Sequence, residues 1–243
     1  MKNNVYAFIF AIAIIVAAAL MSNAYLNRGK SDDMISVTGL GQSDFTSDLI
    51  VWSGRFEKDN LDLKQAYADL EKDRKVITTY LNSKGITEEG LVYSAVESRK
   101  KTRTLYSPNG NYMGEEFTGY ALNQTVKIES KEVEKIEKVS REITELLNQG
   151  VQLYSESPRY YYTQLADLKI EMISRATEDA RVRAEKIAEN SGAHLGDLSN
   201  ARMGIFQITG QNSNEDYSWG GAYNTSSKEK TASITMKLVY NIK

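Results

Sequence analysis

One stretch limits the folds open to this chain more than any other: the run from about Thr163 to Asn190. Within it Leu165, Leu168, Met172, Ala176, Ala180, Ala184 and Ile187 recur at three- and four-residue steps. That spacing draws one apolar stripe down an α-helix of about seven turns. The stripe begins with bulky side chains and narrows to alanine, so its second half can lie very close to something flat, most simply the face of a β-sheet. Glu178, Asp179, Arg181, Arg183, Glu185 and Lys186 cover the other side. Arg175 with Asp179 and Arg181 with Glu185 stand at the i,i+4 spacing that supports a solvated helix. Gly192 supplies the left-handed stop.

The rest of the chain supplies the strands such a helix needs. Ile35 to Thr38 alternates, Gly39-Leu40-Gly41 permits a bulge or bend, and Asp48 to Glu57 continues with β-branched and aromatic residues. Two glycines with no helix directly after them do not make a nucleotide-binding loop. Leu61 to Lys84 has a helical apolar face and ends at Gly85. Leu91 to Leu105 and Glu116 to Glu129 read as a long hairpin that turns at Ser107-Pro108-Asn109-Gly110. Lys100, Lys101 and Arg103 on its first arm read best as a solvated edge that discourages aggregation. Ser130 can cap a helix over Lys131 to Asn148, and Gly150 stops it. Val151 to Ser155 is a short strand, and the Tyr160-Tyr161-Tyr162 run leads into the long helix and is read as part of it. Leu198 to Thr209 and Thr231 to Asn241 alternate as strands, while Gly210 to Lys230 has the composition of a mobile loop. The order β-β-α-β-β-α-β-α-β-β predicts an α+β fold, a largely antiparallel sheet with helices on one face.

Ahead of this lies Val5 to Leu26, 22 residues without a charge, flanked by Lys2 and by Arg28 and Lys30. It is long enough to cross a bilayer. Ser22-Asn23-Ala24 loosely fits a cleavage site, but the apolar run exceeds that of a usual signal peptide, so an uncleaved anchor is the preferred of two open readings. Residues 1–30 are therefore taken as anchor or signal segment and 31–243 as one α+β domain. The basic residues after the span favour the cytoplasm for the domain on their C-terminal side.

Chemistry is narrowed more by what is missing. The chain has 30 basic and 32 acidic residues spread along it, so no field of one sign points to nucleic acid. Without cysteine there is no disulfide, thiolate ligand or thiol nucleophile. The single histidine, His194, follows a helix stop and leaves serine chemistry without a base and zinc with carboxylates alone. The pairs Glu88-Glu89 and Glu115-Glu116 fall at turns and strand ends where water screens them. No catalytic, cofactor or metal site is expected. The aromatics Tyr160, Tyr161, Tyr217, Trp219 and Tyr223 are the candidates for partner contact, the last three because a pure linker would not need them.

Several segments in order resemble the SIMPL domain family. They are Val37-Thr38-Gly39-Leu40-Gly41, Asp48-Leu49-Ile50-Val51-Trp52, Gly119-Tyr120 with Asn123-Gln124-Thr125-Val126, and the alanine-rich helix from Ala176 that ends at Ser191-Gly192-Ala193-His194-Leu195-Gly196. The likeness covers about Ile35 to Ile242. Ser157-Pro158-Arg159-Tyr160-Tyr161-Tyr162 is most similar to a bacterial branch held in the envelope by an uncleaved helix. The resemblance implies an exported domain, periplasmic or extracellular, a tendency to oligomerise, a link to stress defence in some members, and no agreed catalytic residues.

The expected function is accordingly that of a non-enzymatic envelope protein, tethered by its N-terminus and bound to itself or to another envelope protein. The alternatives are a glycan- or peptide-binding module built on the exposed tyrosines, and a carboxylate-dependent hydrolase. A redox role has little to work with beyond sacrificial oxidation of seven methionines.

Overall fold

Alanine at every fourth position lets helix α4 (Leu165–Asn190) come down onto strand β1 (Met34–Thr46) at backbone distance. A computed structural model gives the arrangement for residues 2–27 and 34–243. The buried face of α4 is Leu168, Met172, Ala176, Ala180, Ala184 and Ala188. The four-residue step thus runs on to Ala188, and Ile187, expected in the stripe, stays exposed. β1 runs continuously through Gly39 and Gly41. They are the surface on which the helix rests. A Cβ on Gly39 would run into Ala176 O and lie 2.8 Å from the Ala180 methyl, and one on Gly41 would run into Met172 O.

The described residues fall into two compact units. In the first (residues 1–43, 168–206 and 233–243), β1 and β8 (Leu195–Met203) flank β10 (Glu229–Ile242) in the order β1-β10-β8. Buried side chains alternate along β1 as Ile35 and Val37, and β10 supplies Ile234, Met236, Leu238 and Tyr240. The β1 edge is closed by side chains of α4. Asp179 Oδ2 accepts the Leu40 N–H at 2.8 Å, and Arg175 Nη1 donates to Gln42 O at 3.3 Å. That bond to Leu40, with the Arg183 guanidinium behind it, holds the Asp179 carboxyl below its ordinary pKa. β8 is the opposite edge, and from Asp197 to Met203 it is exposed on both faces.

The same unit holds the N-terminal helix α1 (Lys2–Asn27). Its stretch Phe8–Leu26 is long and apolar enough to span a membrane and is wholly unburied. Arg28, Lys30 and the boundary drawn at residue 31 lie outside the described residues.

In the second unit (residues 44–167 and 207–232) the sheet order is β3-β5-β2-β6. Its strands are β2 (Leu49–Asn60), β3 (Leu91–Tyr93), β5 (Tyr112–Ser130) and β6 (Leu153–Ser155); β4 (Glu97–Tyr106) pairs with β5 and β7 (Arg159–Tyr161) with β2. These pairs are antiparallel. Helices α2 (Leu63–Ser83) and α3 (Val133–Glu142) bring Leu70, Ile77, Leu81, Ile136 and Val139 onto Ile50, Trp52 and Phe56 of β2 and Val126 and Ile128 of β5. The Asp62 side chain caps α2 by accepting the Gln65 N–H at 2.9 Å.

The architecture is the α+β fold expected, in the expected order, with refinements that have local causes. Tyr160 and Tyr161 lie on β7 and not on the helix, because Asp48 takes both the N–H and the hydroxyl of Thr163 at 2.7 and 2.6 Å and starts α4 only beyond them. The strand drawn from Leu198 to Thr209 is two, β8 and β9 (Gln207–Gly210). α3 ends at Glu142 and tightens into a 3₁₀ turn, Ile143–Gln149, which Gly150 closes in the left-handed conformation.

The helix–strand contact gives a sharp test. Gly39→Ala is expected to destabilise by about 2 kcal/mol or more, since backbone must move to admit one methyl. Gly90→Ala, whose Cβ would meet nothing nearer than Ile86 Cγ2 at 3.8 Å, should change stability by less than about 1 kcal/mol. Denaturant unfolding of the two variants compares them directly.

Candidate functional site

The five aromatics proposed for contact all belong to the second unit, and the segment 210–230 decides how they are presented. Its composition is that of a linker, yet its base is tied by two buried amide side chains, Gln207 and Asn224, and by the carboxylate of Glu215. Gln207 Nε2 donates to Ser218 O at 2.9 Å, and Gln207 Oε1 accepts the Ala222 N–H at 2.6 Å. Glu215 accepts the Gly210 N–H at 3.1 Å and an N–H of the Asn224 side chain. Asn224 Oδ1 accepts the Ser227 N–H at 2.8 Å. The Ile208 N–H donates to Ala222 O at 2.7 Å and Ile208 O accepts the Asn224 N–H at 2.9 Å across the base of the loop, and Thr225 O receives the Tyr160 N–H at 2.7 Å. Buried amides are stable only when satisfied in this way, so these bonds set the loop's path.

Trp219 stands at the turn of the loop and is 96% exposed, with Tyr217 also largely exposed. Tyr223 sits nearer the body, where burial, together with the neighbouring Tyr161 and Asp48, pushes its phenol pKa up. Tyr161 and Tyr162 are half-buried, and the Tyr162 ring is 4.7 Å from that of Phe45. Tyr160 does not join this surface: it is 8% exposed and belongs to the core. Tyr161, Tyr217, Trp219 and Tyr223 are thus the accessible members.

Beneath the loop lies a residue that sequence reasoning passed over. Lys230 is buried, and its Nζ donates to Tyr160 O at 2.5 Å. Burial pushes its ammonium down to about 8, with Glu215 opposing the shift. Nothing in its sequence context, Glu229-Lys230-Thr231, separates it from a surface lysine. Its alternation with Ala232 and Ile234 on β10 was the available signal.

Beside α2 is an open cleft of about 640 Å³ lined by Arg74, Lys75, Thr78, Thr79, Asn82 and Glu88 among others. Its hydroxyls are already engaged. Thr78 bonds Arg74 O and the Tyr93 hydroxyl, and Thr79 bonds Lys75 O. The Arg74 guanidinium lies 4.4 Å over the Tyr93 ring and forms an ion pair with Glu71. A ligand site is ordinarily apolar with a few free polar groups, and this cleft is the reverse. Glu116 is exposed and paired with Arg103 at 2.5 Å. His194 exchanges main-chain bonds with Lys243. Among the described residues no group of three or more His, Cys, Asp or Glu could hold a metal ion.

The fold and this surface define an α+β protein with antiparallel sheets and a locked aromatic loop. Residues 35–240 match the SIMPL family, described as a protein of unknown function (DUF541), and the chain belongs to that family. No curated protein matches the chain in sequence.

The buried lysine predicts a pH dependence. Its folded pKa of about 8 lies below the ordinary 10.5, so between those values the unfolded chain holds more protons and stability rises with pH. Above about 10 the partly buried Tyr93 and the buried Tyr160, whose pKa values are raised, reverse the trend. Denaturant unfolding from pH 7 to 11 should show a maximum, and Lys230→Met should flatten the rise between pH 8 and 10.

Proposed function

We propose that this protein is a non-enzymatic component of the cell envelope. α1 anchors it in the cytoplasmic membrane, the rest is exported to the periplasmic or extracellular side, and it acts by assembling with itself or with another envelope protein. The observation that carries the reading is Trp219, a large aromatic almost wholly in water on a loop fixed by buried hydrogen bonds. A mobile linker would lose entropy on docking, whereas a pre-set loop loses little, and rigid exposed Trp and Tyr side chains are the usual energetic centres of interfaces. The unburied apolar stretch of α1 supports the tether. Export and a link to stress defence rest on the family resemblance, and the basic residues after the span weigh against export. The engaged hydroxyls of the α2 cleft and the paired Glu116 carboxylate favour contact over hydrolysis.

The test is the assembly state of the full-length protein in nanodiscs, by light scattering and by crosslinking in membranes. The wild type should form homo-oligomers or a defined complex, and Trp219→Ala should weaken it by about tenfold or more. A wild type that stays monomeric at high concentration and crosslinks to nothing would overturn the reading. A Trp219 emission shift on adding cell-wall fragments, with no assembly, would transfer the same surface to glycan binding.

A further inference from the structure

The hairpin of β4 and β5 projects further than the core can support. β4 is exposed at every one of its ten positions, and β5 is uncovered from Tyr112 to Thr118 apart from the partly covered Gly114. A two-stranded ribbon with neither face packed is marginal in water. Its end is nonetheless well formed: the Gly110 N–H bonds Ser107 O at 2.9 Å and the Ser107 N–H bonds Asn111 O at 2.8 Å. From Thr104 to Gly114 it carries no charge, and Leu105, Tyr106, Tyr112 and Met113 stand in water. Charge begins directly behind. Arg103 pairs with Glu116 and Lys101 with Asp59, while Arg99, Lys100, Glu97 and Glu115 make no ion pair among the described residues, so the unpaired charges balance.

We propose that this tip enters the headgroup layer of a lipid bilayer, so that the protein touches the membrane at a second point besides α1. Tyrosine, with an apolar ring and a polar hydroxyl, is suited to the boundary between acyl chains and water. Proximity comes from the chain itself. Only the seven positions 27–33 separate the apolar stretch Phe8–Leu26 from β1, a link of at most about 30 Å. A domain tethered so closely meets lipid at high effective concentration. A second copy is the poorer occupant, because four side chains on a narrow ribbon fall well short of the roughly 800 Å² per partner of a stable interface. The proposal rests on the reading of α1 as an anchor.

Full-length Tyr106→Trp and Tyr112→Trp, each at an exposed position, would be reconstituted in phosphatidylcholine–phosphatidylglycerol vesicles with and without brominated acyl chains. Against the wild type, with Trp52 and Trp219 as background, the added indole should emit at shorter wavelength and lose its emission to the bromines. Leu105→Asp with Met113→Asp should reduce that loss. Flotation of the same vesicles reads the anchor separately. Protein that floats with an unquenched, water-like indole overturns the tip's insertion and leaves the anchor standing. A blue-shifted but unquenched indole overturns it in favour of a protein contact, and protein that does not float overturns both.

Discussion

The nearness of α4 to β1 is the constraint on which the first unit depends. A helix can approach a strand this closely only if both give up side chains where they meet, and they do so in register, alanine on one and glycine on the other. The approach brings the long side chains beside the stripe within reach of the strand's edge, where Asp179 and Arg175 take up the main-chain groups of Leu40 and Gln42. One element therefore supplies both the packing and the closure of an edge that would otherwise recruit further strands. β8, with no helix over it, is left as the open side.

The second unit reaches rigidity by another route. Its sheet buries Trp52, Phe56 and the faces of two helices in the ordinary way, but the long excursion after β9 is held by polar groups alone. Each of Gln207, Asn224 and Lys230 costs free energy to bury, and each recovers it only while its bonds stay intact. Such an arrangement stabilises a shape more than it stabilises the fold. The outcome is a tryptophan held out in water on a loop whose base is hydrogen-bonded.

Much of this is legible in the residues and some is not, for physical reasons. The alanine stripe, the Ser107–Gly110 turn, the order of elements and the apolar N-terminal helix arise from periodicities of one element at a time. The purpose of Gly39 and Gly41 does not, because a glycine needed for close approach reads the same as one needed for a bend until its neighbour is known. Tyr160 and Tyr161 read as helix because their strand depends on β2 and on Asp48, more than a hundred residues away from Thr163. The loop's anchors are hidden since Gln, Asn and Glu in a segment rich in Gly and Ser resemble solvated linker, and burial of Lys230 depends wholly on what folds over it. Aromatics within 210–230 are visibly unusual; that they stand on a fixed loop is not visible.

On the proposed function, the hydrogen-bonded loop and the unsupported hairpin are what the protein uses to touch other surfaces. Hydrogen–deuterium exchange on the membrane-embedded, full-length protein tests that most directly. The account predicts that amides of residues 168–190 exchange slowly under every condition, while those of 211–228 slow as protein concentration rises and those of 97–118 slow on going from detergent to bilayer. Equal exchange of both outer segments in all conditions, or fast exchange throughout α4, would contradict it.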